Sequence, residues 1–110
     1  MPKDFILTAQ EMKPLATGRG SCLASDRITV DGRPVGFMYR EKGDSEFDSG
    51  WRFLAGDESD DYTSDPAHFE LYDVNTIANY DPTIITHLDA PIGFAYARDA
   101  TSGKLVPVNQ

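Results

Sequence analysis

Cys22, His68, His87 and a run of carboxylates between Asp57 and Asp65 are the side chains in this sequence whose types permit chemistry. Zinc needs ligands that a short segment can bring together, and neither histidine has the i, i+4 partner of a metal-binding helix. Asp57, Ser59 and Asp61 imitate the opening of a calcium loop, but Tyr62 and His68 stand where that loop requires its glycine and its bidentate glutamate. No metal ligand set is therefore assigned. Cys22 falls in a predicted buried strand, where a thiol is ordinarily inert packing. No serine occupies a Gly-x-Ser-x-Gly elbow, and Gly18-Arg19-Gly20 lacks the third glycine and the helix of a dinucleotide site. Glu58 with Asp61, or Asp60 with Asp65, are the pairs that acid–base hydrolysis would need. Clustered acids in a loop more simply repel one another and stay hydrated. No catalytic residue and no cofactor are assigned.

Binding is better served than catalysis. Ten Lys and Arg face eighteen Asp and Glu, a formal charge of −8. That balance repels phosphate backbones and anionic lipid, so nucleic acid and membrane are poor partners and a basic protein is a good one. Five of the nine residues from Asp57 to Asp65 are acidic, and Tyr62 lies among them with Trp51 just upstream. Aromatic anchors within a charged rim are typical of interfaces. The candidate partner-binding set is thus Trp51, Asp57, Glu58, Asp60, Asp61, Tyr62 and Asp65. Trp51 has a second reading as core, because large aromatics on strands are mostly buried.

The elements that position these residues can be read from turns and periodicity. At 110 residues the chain is expected to form one domain spanning 1–110, since halves could not bury a core. A single cysteine excludes an internal disulfide, and Met1 to Phe5 lacks the apolar core of a signal peptide, so the cytoplasm is the expected location. Asp4–Leu15 reads as a short strand and a helical turn, and Ser21–Ser25 as a buried strand. Asp31-Gly32 between Ile28-Thr29-Val30 and Val35–Arg40 predicts a hairpin. Trp51–Ala55 predicts a strand that Gly56 ends. Asp65-Pro66, Asp73 and Asp81-Pro82 each read as the capped start of a short helix. Val74, Ile77 and Ala78 form one apolar face, Ile84, Ile85 and Leu88 another. Ile92–Arg98 and Lys104–Val106 return to strand. The sum is an α+β domain: a mostly antiparallel sheet of about five strands with short helices on one face. Exposed strand edges are compatible with a monomer or a homodimer.

Met38-Tyr39-Arg40-Glu41, Asp48-Ser49-Gly50-Trp51-Arg52-Phe53, Gly56-Asp57-Glu58, Asn75-Thr76-Ile77 and Asp81-Pro82 occur in an order that resembles a bacterial domain family. That family, first classed only as a domain of unknown function, is grouped with predicted immunity proteins of polymorphic toxin systems. The likeness runs from about Ser21 to Arg98, with Gly43 and Ala97 departing from its pattern. It implies a small cytoplasmic protein that binds and neutralises a cognate toxin, or a stand-alone protein of unassigned role. Among the matching residues, Arg40 or Arg52 with Asp48 suits a bidentate staple, while Asp57 to Tyr62 suit an inhibitory face against a basic toxin groove. Two other functions compete: a small-ligand-binding or regulatory domain with a pocket of Tyr39, Trp51 and Tyr96, and a small hydrolase using Glu58 or Asp61.

Overall fold

The computed structural model describes residues 5–108; the N-terminal residues Met1 to Asp4, read above for targeting and for the first strand, lie outside them. Six strands are formed: β1 Ser21–Ser25, β2 Phe37–Arg40, β3 Asp48–Leu54, β4 Phe69–Asp73, β5 Ala95–Arg98 and β6 Leu105–Val108. They make one sheet in the order β4-β1-β3-β2-β5-β6. The neighbours are antiparallel except β1 and β3, which run parallel. The fold is α+β.

Strand alternation sorts the side chains onto two unequal faces. One carries Cys22, Ala24, Met38, Trp51, Phe53 and Tyr96, all buried. Against it lie Ile28 of α1 (Asp26–Thr29), Val74, Ile77 and Ala78 of α3 (Val74–Tyr80), and Ile84 and Leu88 from the 3-10 segment Pro82–His87 and its cap. Fully burying a side chain such as Phe53 stabilises by roughly 1.5–3 kcal/mol, so this layer carries the fold. The opposite face receives no such layer. Leu71, Leu23, Arg52 and Tyr39 follow one another across it in register. The short helix α2 (Asp60–Thr63) borders it.

Three aspartates start helical turns by the same local chemistry. Asp65, Asp73 and Asp81 accept the amides of Ala67, Asn75 and Thr83 at 2.9, 2.8 and 3.1 Å. Each side chain satisfies a donor that the first turn leaves orphaned. Asp81 also accepts the Val35 amide at 2.9 Å and the Arg98 guanidinium at 2.7 Å, tying the helical layer to β5.

Three expectations change. The hairpin across Asp31-Gly32 does not form, because Ser25 caps α1 through the Arg27 amide at 3.1 Å and Ile28 enters the core on that helix. Local capping and burial outweigh the β preference of Ile28, Thr29 and Val30. The segment after Asp65-Pro66 is only a 3-10 turn, Pro66–His68, and passes into β4, which pairs with β1 along its whole length. Phe5 to Leu7 run irregularly, held by Ile6 N–H to Thr29 O at 2.8 Å and Leu7 N–H to Tyr80 Oη at 3.0 Å.

The central strand is not regular. Ser21 pairs with Asp48 but Leu23 pairs with Arg52, so β3 carries extra residues in a bulge. Gly50 sits there at φ +86°, with its α-carbon against the Glu41 carbonyl, where any β-carbon would overlap. Gly50→Ala is expected to destabilise by about 3 kcal/mol, combining positive-φ strain with the clash. Urea unfolding followed by tryptophan fluorescence measures it.

Candidate functional site

The acidic segment is organised by its own backbone needs. Asp57 pairs with Arg27 at 2.8 Å and Arg33 at 3.2 Å. The hydrogen bonds from Arg27 hold its carboxyl below the usual range. Both oxygens of Glu58 are used as well, accepting the amides of Ala55 at 2.8 Å and Gly56 at 2.9 Å. Ser59 caps α2 through the Tyr62 amide. The Tyr62 ring stacks on His68 at 3.9 Å and meets Phe69 edge-on, while its hydroxyl reaches Ser25 and partial burial raises its pKa. Asp60 and Asp61 differ from these. They stand exposed in the first turn of α2, and no described residue pairs with either carboxylate.

Behind this segment a charged network crosses the uncovered sheet face. Arg52 donates Nη1–H and Nη2–H to the two Asp48 oxygens, both at 2.9 Å, and Nε–H to Glu41 at 2.7 Å. Asp48 also accepts the amides of Asp44 and Gly50. The Arg52 guanidinium drives the Asp48 carboxyl far below the carboxylate range, against the opposing effect of burial. Residues four apart on a regular strand lie roughly 13 Å from each other. The bulge at Gly50 is what shortens this span enough for a direct pair.

The chain matches the family model described as the immunity protein Imm33 domain over residues 22–109. It belongs to the Imm33 immunity-protein family. No curated protein and no solved structure matches the chain.

In this Imm33 domain the residues singled out from sequence are dispersed. Trp51 is corrected from the partner-binding set to the core: it is 1% exposed, stacks on Phe53 at 6.0 Å and donates Nε1–H to Leu88 O at 3.1 Å. It points to the helical layer because it is adjacent in β3 to Arg52, which faces the other way. Arg40 does not pair with Asp48. It donates to the carbonyls of Ser49 and Ala90 at 2.9 and 2.8 Å, with its guanidinium carbon 5.8 Å from the Trp51 ring centroid. Asp65 serves as a cap. The pocket of Tyr39, Trp51 and Tyr96 is also corrected, since Tyr39 lies on one sheet face and Trp51 and Tyr96 on the other. Cys22 is wholly buried, and burial together with Asp73 pushes its thiol pKa up. Among the described residues no group of three His, Cys, Asp or Glu side chains is placed to hold a metal ion.

Glu41 was missed. Its only signal was its place directly after Arg40 in a family motif, and register across β2 and β3 was needed to bring it to Arg52. The Asp48–Arg52 pair gives a pH prediction. The folded pKa of Asp48 is depressed, so as pH falls the unfolded chain takes up this proton first. The stabilisation is whole above the ordinary value of 3.8 and is lost progressively as pH drops below it. Asp48→Asn should lower stability by about 3 kcal/mol at neutral pH by stranding Arg52, and should flatten the acid limb. Urea midpoints from about pH 6 to about pH 2 measure both effects.

Proposed function

We propose that this Imm33 domain binds a cognate toxin protein and neutralises it by covering the toxin's active site, without catalysing a reaction. The observation that carries this reading is the family match across residues 22–109. The charge of −8 makes a toxin domain with a basic surface the favoured partner, because opposite potentials steer encounter and reject wrong partners. The same charge disfavours nucleic acid and membrane, and no helix among the described residues is long and apolar enough to cross a membrane. Neutralisation would take place in the cytoplasm, where a toxin threatens the cell that makes it.

Within the acidic segment, Asp60 and Asp61 are the residues best suited to steering. Asp57, Glu58 and Asp65 already hold partners inside the chain, so their loss would disturb the loop before it disturbed a complex. Tyr62 supports α2 from beneath through His68 and presents its remaining surface beside the two free carboxylates.

Co-expression with the toxin encoded by the neighbouring reading frame is expected to rescue growth. Continued killing at matched expression would overturn the proposal. In binding kinetics with an inactivated toxin domain, D60K/D61K should slow association about tenfold at low salt, with the difference narrowing as salt screens it. Association rates that are insensitive to both salt and the substitutions would remove these aspartates from the docking surface.

A further inference from the structure

We infer that the toxin docks on the uncovered face of the sheet, in a groove between the strands and α2 that takes apolar side chains from a basic protein surface. This rests on the immunity reading above and names the surface that performs it. Strands normally face solvent with polar residues when a sheet is covered on one side only. Here Leu23, Tyr39, Leu54 and Phe69 line a concavity of about 310 Å³ together with Thr63 of α2. A second concavity of about 340 Å³ lies next to it and shares Leu54 and Thr63 in its lining. Leu71 extends the apolar row to the sheet edge at 69% exposure.

Ion pairs brace the floor of the groove. Arg52 lies in it, but its charge is answered by Asp48 and Glu41, and the Arg98 guanidinium, beyond the far end, is turned to the helical layer and answered by Asp81. Both cations are therefore unavailable to a partner. Glu58 at the rim is held by the Ala55 and Gly56 amides, but the other rim carboxylates are not consumed in the same way. Glu41 is half exposed and gives Arg52 one oxygen, and Asp60 and Asp61 lead into the turn that carries Thr63. An apolar centre inside a negative rim complements a partner with an apolar side chain flanked by Lys or Arg. It does not complement a second copy of this chain, whose own rim would meet it with like charge. Pre-organisation by the Arg52 network lowers the ordering cost of such docking.

The test uses the full chain and the inactivated toxin domain from the neighbouring reading frame. Leu54→Asp places a charge at the junction of the two concavities and should weaken binding at least about thirtyfold, as loss of a central anchor does. Its circular dichroism and melting temperature should stay close to wild type. Should Leu54→Asp unfold, Leu71→Asp decides instead, because its side chain is already largely in water and its loss cannot disturb the core. Binding within about threefold of wild type by the folded variant, or sedimentation showing a wild-type dimer that the substitution splits, overturns the docking face. Wild-type chain that neither binds nor protects overturns the immunity reading itself, a result separate from the other two.

Discussion

Arg52 sits in the middle of the sheet at 5% exposure, and a guanidinium in that position is tolerable only while carboxylates meet it. Asp48 does so with both oxygens, and Glu41 adds a third contact. Such a pair contributes little net stability relative to an apolar replacement, since desolvation offsets most of the attraction. What it does is make other arrangements expensive. Slipping β3 by one residue would turn Arg52 into the helical layer and Trp51 into water. The pair can close only because β3 bulges, and the bulge can form only because Gly50 accepts a positive φ against the Glu41 carbonyl. The short motif from Asp48 to Phe53 is thus one mechanical unit: bulge, staple and core tryptophan.

That unit explains the asymmetry of the molecule. With Trp51 and Phe53 directed to one side, α1, α3 and the Pro82–His87 turn have a layer to cover, and both side chains are buried beneath it. Arg52, Leu54 and Leu23 are left on the side that no helix closes. A face of half-buried apolar side chains with a neutralised cation at its centre is costly in isolation, a cost that the docking proposed above would offset. The acidic surplus divides in a comparable way. Asp48, Asp57, Glu58, Asp65, Asp73 and Asp81 satisfy guanidinium groups or backbone donors within the chain. Asp60 and Asp61 are the carboxylates in the Asp57–Asp65 segment left to act at long range.

Much of this was legible from residue types alone where the controlling interaction is local. Asp73 before Val74, Ile77 and Ala78, and Asp81-Pro82 before Ile84 and Leu88, announce capped turns because cap and amide are two residues apart. The family motifs were legible for the same reason, being contiguous. Local signals misled at Asp31-Gly32, where burial of Ile28 on α1 won over a turn that the dipeptide favours. They were silent about β4, whose Phe69–Asp73 run becomes a strand only beside β1.

The sequence by itself determined the fold class, the family and the capped helical turns, because propensity, periodicity and capping act over a few residues. Tertiary structure alone decided which face Trp51 joins, which arginine takes Asp48, and which of the clustered acids remain unpaired. Those outcomes depend on strand order and on a bulge register set between segments distant in the chain. No spacing within one segment encodes them.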